Sequence, residues 1–197
     1  LENASSILRS FPYKSLSREN RITYDILELY YDTELSQENQ YLLSEILSPA
    51  LGIQAQLPPL LAEYTFRSEQ DVIDYLNLLR DMPSYFDSII QFEKEKSAGG
   101  YFMSDDTADR IIDQCSDFIA SGSDNYLTSV FEEKIAEASW LSEKKKSASL
   151  KLHEDAVVNY VIPAYRKLIG ALTGLKGSGQ NENGLYYLSG GREYYTY

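Results

Sequence analysis

The sequence has few of the residues that enzymes most often use to bind metals or to act as nucleophiles. It contains one histidine and one cysteine among 197 residues. A zinc-peptidase helix needs histidines at positions i and i+4, but His153 is followed four residues later by Val157. Cys115 cannot form an intrachain disulfide, and its apolar helical setting predicts a core residue. We therefore predict no catalytic, cofactor-binding or metal-binding residue in this chain, and we interpret His153 as a satisfied or surface histidine.

Several motifs that define enzyme classes are also absent. The sequence contains no G-x-S-x-G nucleophile elbow and no glycine-rich phosphate loop. No segment approaches the ~20 consecutive apolar residues that span a bilayer. Acidic side chains number 30 against 18 basic ones, which gives a formal net charge of −12. That charge repels nucleic-acid phosphates, so we expect no nucleic-acid partner, whereas a cationic peptide would be attracted.

Charged clusters do not change this interpretation. Four aspartates recur at every fourth position: Asp105, Asp109, Asp113 and Asp117. A helix rises ~1.5 Å per residue, so the four carboxylates spread over roughly 18 Å and one ion cannot gather them. We interpret them as a solvated helix face, and the short basic run at 144–146 in the same way.

What the sequence does contain is apolar residues at helical spacing. A stripe of Ile22, Ile26, Leu29 and Tyr30 predicts a helix that begins after Ser17 and continues to about residue 35. Further N-terminal signals stand at Ser68, Ser104, Asp124 and Ser142, and C-terminal signals stand at the glycine pair 99–100 and at Gly122. The fold class is therefore predicted to be all-α, an irregular array of about six to eight helices.

Prolines serve as the main predicted breaks. We expect residues 52–57 to be irregular and a short helix to begin at Pro58. We expect Pro83 to begin a new helix, with residues 81–82 as a hairpin or sharp bend. The helix that begins at Ser142 has an apolar face on both sides of Pro163, which predicts one long helix with a kink near Asn159.

The chain is predicted to be a single helical region over residues 1–197. Residues 36–51 are ambiguous between a helical turn and an extended segment. Residues 174–184 have the composition of a flexible loop, and residues 184–197 form a tyrosine-rich tail. Because aromatic rings with hydroxyl tips suit ligand clefts, we name three candidates for substrate binding: Tyr187, Tyr194 and Tyr195. The alternative is that these rings pack against a further part of the protein.

A set of short motifs resembles a bacterial family of proteins of unknown function, DUF885. The matching residues are Gly52, Leu57-Pro58, Tyr64-Thr65-Phe66, Asp71 with Tyr75-Leu76, Phe86 with Ile90, Gly99-Gly100, and the segment GLYYLSGGREYYTY at 184–197. Full-length members of that family resemble zinc metallopeptidases, with a His-Glu-x-x-His helix in their carboxyl-terminal half. The resemblance thus implies that this chain is an amino-terminal region and that zinc would lie in the missing carboxyl-terminal half. That carboxyl-terminal half would also be the main partner of this chain.

Two functions are therefore predicted. In the first, the chain is the non-catalytic helical region of a zinc-dependent peptidase-like hydrolase and forms part of its cleft for a peptide substrate. In the second, it is an exported helical binding module without enzymatic activity. The resemblance implies an exported lipoprotein or an extracellular protein, with a cytoplasmic location as the alternative. Exposed apolar surface would also favour a weak homodimer.

Overall fold

A computed structural model describes residues 1–36 and 38–196, and most of these residues are helical, with no β-strand among them. The α-helices are α1 (Glu2–Arg9), α2 (Arg18–Ser36), α3 (Ile53–Glu63), α4 (Glu69–Ala98), α5 (Asp105–Ala120), α6 (Tyr126–Glu137), α7 (Glu143–Ala156), α8 (Ile162–Leu175) and α9 (Gly191–Thr196). A π-helical turn, Val157–Val161, joins α7 to α8. With α7, this turn and α8 counted as one element, the described residues form eight α-helical elements, which confirms the predicted all-α array.

The chain divides into two compact units. The first, here called the terminal unit, comprises Leu1–Ser44 and Leu185–Tyr197; the second, the middle unit, comprises Glu45–Gly184. Within both units, no helix of the described residues is long and apolar enough to cross a membrane.

The terminal unit is built on a helical hairpin in which α1 packs against α2. Ser17 caps α2 as predicted, because its hydroxyl accepts a hydrogen bond from the Asn20 amide at 3.2 Å. Short 3-10 helices at Glu38–Leu43 and Leu185–Tyr187 pack against α9. The turn into α9 requires glycine, since a Cβ at Gly191 would lie 1.8 Å from the Leu185 carbonyl oxygen.

The middle unit is organised around α4, which packs against α7, the π turn and α8. Helix α5 also packs on α8, and α3 packs on α5 and α6. Most side chains facing the centre are apolar and almost fully enclosed; the largest apolar ones are Leu47, Tyr75, Leu79, Phe86, Ile111, Leu127, Phe131, Ile135, Tyr165, Leu168 and Leu172. Cys115 is 1% exposed and lies in this core, as predicted.

Two predicted proline breaks are wrong. Helix α3 begins at Ile53, not at Pro58, and carries both of its prolines inside it. Helix α4 runs for 30 residues without interruption and contains Pro83. A proline removes one backbone hydrogen bond and costs about 3 kcal/mol in a helix interior. In α4 that cost is offset by burial on both sides of Pro83, where Leu79 and Phe86 are each 0% exposed.

The irregularity predicted near Pro163 is present. The polypeptide is helical from Glu143 to Leu175, as expected for one long element through Pro163. The five-residue π turn lies just before the proline, so the wider turn is the local adjustment to its missing amide. Val157 and Val161 are both 0% exposed, so the π turn is part of the core.

Most predicted helix ends are confirmed by hydrogen bonds. Ser68 and Asp71 form a complete capping box at the start of α4. The hydroxyls of Ser104 and Ser142 accept hydrogen bonds from Thr107 and Lys145 amides. The cap of α6 is one residue later than predicted, at Asn125, whose side chain accepts from the Leu127 amide at 3.0 Å.

Candidate functional site

The three tyrosines proposed for substrate binding all lie in the terminal unit. Tyr187 is 67% exposed and Tyr195 is 82% exposed. Tyr187 packs edge-on against Tyr186, with ring centroids 5.1 Å apart. Tyr194 is partly buried, and its hydroxyl donates to the Ser44 Oγ at 3.3 Å. Tyr187 and Tyr194 contact different partners, so a shared ligand site remains a prediction. Tyr197 lies outside the described residues.

The aspartate row of α5 has the predicted character of a solvated face. Asp109 is ion-paired with Lys176 at 2.5 Å, and Asp105 accepts a hydrogen bond from the Gly177 amide at 2.7 Å. Asp113 and Asp117 are exposed. Across residues 1–36 and 38–196, no group of three or more histidine, cysteine, aspartate or glutamate side chains could hold a metal ion.

A concave surface of the middle unit lies between α3 and α4. We call it the apolar groove; its volume is about 430 Å³, and its lining residues are Leu57, Leu60, Leu61, Tyr64, Leu78, Asp81, Met82 and Tyr85. Both helices contribute residues at i, i+3, i+4 and i+7 spacing, which places each set on one helix face. The groove is therefore formed by two stripes that are apolar apart from Asp81. In the α3 stripe, Leu57 comes from the segment expected to be irregular, and the other residues come from the helix expected after Pro58.

The apolar groove is open to solvent. Leu61 and Met82 are buried at 7% and 4% exposure, whereas Leu60 is 56% and Leu78 48% exposed. Asp81 is the charged side chain of the lining. An open apolar concavity with one carboxylate can bind an apolar side chain that stands beside a positive charge.

A lysine fixes the end of α3 next to this groove. The Lys134 ammonium on α6 donates to the carbonyl oxygens of Ala62 and Tyr64, the latter at 2.7 Å. These carbonyls belong to the last turn of α3 and its cap, where helical backbone leaves acceptors without partners. Burial lowers the pKa of Lys134, which the Glu63 carboxylate partly opposes.

His153 lies in an aromatic stack that the sequence did not predict. Its ring is 1% exposed and lies almost parallel to Phe131 and Tyr75, with centroid distances of 4.2 and 5.8 Å. Phe66 and Tyr64, from the Y-T-F motif, extend the same cluster. The interpretation of His153 as a satisfied or surface residue is only partly right, because it is buried and incompletely hydrogen-bonded. Its ring Nε2 lies 3.5 Å from the Tyr75 hydroxyl, but its Nδ1 has no partner among the described residues.

Burial shifts the pKa of three groups in the middle unit. It lowers the pKa of His153 to about 4, so this imidazole is neutral near pH 7. It raises the pKa of Glu93 to about 7, with the Lys96 ammonium opposing the rise and the Glu45 carboxylate adding to it. It also raises the pKa of Cys115 to about 12, which keeps that thiol protonated and unreactive.

Comparisons with known proteins support the fold and the family. The family model for DUF885, described as a bacterial protein of unknown function, matches residues 1–197. The fold resembles a crystal structure described as "the putative lipoprotein from Colwellia psychrerythraea", with a TM-score of 0.72 and 22% sequence identity. The match covers 77% of this chain and only 26% of that one. A search of curated proteins found no match. Because the family model spans the whole sequence, this chain belongs to the bacterial family DUF885.

Proposed function

We propose that this chain is the non-catalytic helical region of a longer bacterial protein and supplies the apolar groove as one wall of a peptide-binding cleft. The observation that carries the proposal is the groove itself, a solvent-open concavity of about 430 Å³ between two helices. Its lining is apolar apart from Asp81 and the Tyr64 and Tyr85 hydroxyls. A cleft for a peptide needs such a pocket for a side chain and a few polar groups for orientation.

The favoured occupant is a peptide with a leucine-sized side chain next to a lysine or arginine. The partly exposed Leu60 and Leu78 would be covered by the apolar side chain. Asp81 would attract the neighbouring cation, and the net charge of −12 would steer it towards the surface.

In this proposal, the catalytic residues belong to the rest of the longer protein, outside this chain. The structural relative is much longer than the matched region, since the match covers 26% of its chain. By the family resemblance, this remainder would be a zinc-dependent peptidase-like hydrolase, and its zinc would supply an activated water for peptide hydrolysis. The sequence and metal content of the full-length protein test this part. A His-Glu-x-x-His helix after Tyr197 and stoichiometric zinc are expected, and absence of both would leave a binding protein.

Peptide binding is tested by fluorescence anisotropy with a labelled peptide that alternates leucine and lysine. Leu78→Asp should weaken binding about tenfold or more, because burial of one leucine contributes about 1.5–3 kcal/mol. Ile73→Asp is the matched control: it lies on the same helix, outside the groove lining, and is 43% exposed against 48% for Leu78. A peptide that alternates leucine and glutamate should bind more weakly. Equal affinities for the two variants would refute the groove as the binding site.

The second candidate is an exported binding module without enzymatic activity. It is favoured by the lipoprotein description of the structural relative and by the exported character that the family resemblance implies. The longer protein would then be lipid-anchored or extracellular, with a cytoplasmic location as the alternative. Fractionation of cells that express the tagged full-length gene, with labelled fatty acid, distinguishes these locations.

A further inference from the structure

A second cavity opens in the middle unit beside His153, away from the apolar groove. Its volume is about 190 Å³, and it is bordered by the 3-10 helix Gly122–Asp124, by α6 and by α7. Thr128, Phe131 and His153 all line it. We call it the His153 cavity. Its volume is enough for several water molecules or one small organic molecule.

Two polar atoms of this lining have unmet hydrogen-bonding capacity. The Nδ1 of His153 and the Oγ1 of Thr128 are both buried, and neither has a hydrogen-bond partner within the described part of the chain. Leaving a buried polar atom without a partner is unfavourable, so native proteins rarely do so without a bound water or ligand. The two residues that carry these atoms both line the cavity, which favours a polar occupant in it.

The chemistry of these two atoms limits what the occupant can be. His153 is neutral, so its Nδ1 either donates one hydrogen bond or accepts one, according to the tautomer. The Thr128 hydroxyl can do both. A hydroxyl or carboxamide group also donates and accepts, so it can satisfy both wall atoms at once.

The mouth of the cavity adds a charge preference. Asp124, Glu132 and Glu154 line it together with one cation, Lys151. All four side chains belong to exposed residues, so each is free to turn towards a ligand. Three carboxylates against one ammonium favour a ligand whose outer end is positively charged.

We propose that the His153 cavity binds a small primary amine that also carries a hydroxyl or carboxamide group, with the neutral polar end at His153 and Thr128 and the ammonium at the acidic mouth. Because the His153 ring is only 1% exposed, binding requires a small rotation of the ring or of Thr128 towards the cavity. The ring nitrogens of His153 should therefore report binding directly. This site is separate from the apolar groove, so its test does not depend on peptide binding.

The experiment is a titration of the ¹⁵N-labelled full chain followed by NMR of the His153 ring. As this is the only histidine in the sequence, its ring signals need no further assignment. The probes are glycinamide and ethanolamine, compared with n-propylamine, which lacks the polar end, and acetamide, which lacks the ammonium. Glycinamide and ethanolamine should shift the ring signals at concentrations about tenfold lower than the two comparison compounds, since each lost hydrogen bond or ion contact removes about 1–2 kcal/mol.

Variants localise the effect. Thr128→Val and Glu132→Gln should each weaken glycinamide binding about tenfold. Glu133→Gln is the matched control, because Glu133 is also exposed on α6 but is not part of the cavity lining. Ring signals that no amine alters would mean that bound water satisfies the two atoms, and this would overturn the proposal. Equal affinities for Thr128→Val and Glu133→Gln would overturn it as well.

Discussion

The terminal unit and the middle unit both contain helices with an apolar stripe, but the stripe is exposed in one unit and buried in the other. Helix α2 in the terminal unit has its apolar stripe at the surface, with Ile26 62% and Leu29 71% exposed. None of its 19 residues, all within the described range, is buried. Helix α4 in the middle unit buries ten of its residues, including Leu79 at 0% exposure. A helical period therefore shows which residues share a face, but not whether that face is covered.

The difference follows from the number of helices available to each stripe. Within the terminal unit, α2 packs against α1, which has only eight residues. Polar contacts hold this hairpin, since Arg9 of α1 is ion-paired with Asp32 of α2. Within the middle unit, α4 is surrounded by α7, the π turn and α8. A stripe with several long neighbours becomes a core, and a stripe with only short neighbours stays partly exposed.

The largest effect expected from this comparison is a difference between two identical substitutions. Leu79→Ala should lower the free energy of unfolding by about 2–5 kcal/mol, because it leaves a cavity in a closed core. Leu29→Ala should change it by less than about 0.5 kcal/mol, because that side chain is 71% exposed. Urea denaturation monitored by far-ultraviolet circular dichroism measures both. Similar losses for the two variants would show that the α2 stripe is covered in solution.

The next effect concerns the buried ionisable groups of the middle unit. Glu93 has its pKa raised from 4.5 to about 7, so the folded state binds its proton more tightly than the unfolded state does. The contribution of Glu93 to the free energy of unfolding is therefore complete below pH 4.5 and is lost as pH rises to about 7. His153 has its pKa lowered from 6.5 to about 4, so its contribution is full above pH 6.5 and is lost as pH falls to about 4.

Between pH 4.5 and 6.5 the two contributions change in opposite directions and should largely cancel. Glu93→Gln removes one of them. In that variant the free energy of unfolding should fall by roughly 3 kcal/mol as pH drops from 6.5 to 4, and above pH 7 it should exceed that of the native chain. Urea titrations over a pH series measure this. A variant whose pH profile matches that of the native chain would contradict the assigned pKa directions.

The smallest effect expected is self-association through the terminal unit. We expect the exposed stripe of α2 to support a weak dimer that the net charge of −12 opposes. Raising salt screens this repulsion, so dimerisation should increase with ionic strength. Ile26→Gln should weaken the dimer by about 1–2 kcal/mol, whereas Ile73→Gln, on α4 of the middle unit, should not.

Light scattering across a salt series measures the dimer, on the full chain and on a version that ends at Gly184. The shorter version lacks the exposed rings of Tyr187 and Tyr195 and separates their contribution from that of α2. If the chain stays monomeric at every salt concentration, neither the α2 stripe nor the tail is an interaction surface.

The helix ends were the most predictable part of the fold. Ser17, Ser68, Ser104 and Ser142 all cap helices as expected, because a hydroxyl one residue before the first turn satisfies an amide within three residues. The breaks at Pro58 and Pro83 were predicted wrongly because the cost of a missing amide is local, whereas the burial that offsets it in α3 and α4 comes from other helices.

The candidate sites were less predictable for a similar reason. The tyrosine-rich tail is conspicuous in composition, yet its rings contact different partners in the structure. The apolar groove needs α3 and α4 side by side, and α3 begins in a segment expected to be irregular. Nothing in the sequence near His153 indicates that Phe131 and Tyr75, 22 and 78 positions away, enclose its ring.

The sequence by itself determined the helical class, the capped ends of most helices and the family, because each depends on short-range patterns or on ordered motifs. The tertiary structure decided which apolar stripes are covered, which prolines a helix can carry, and which polar atoms lose their water. Those outcomes depend on the free energy of burial against distant residues, and no local pattern in the chain specifies that energy.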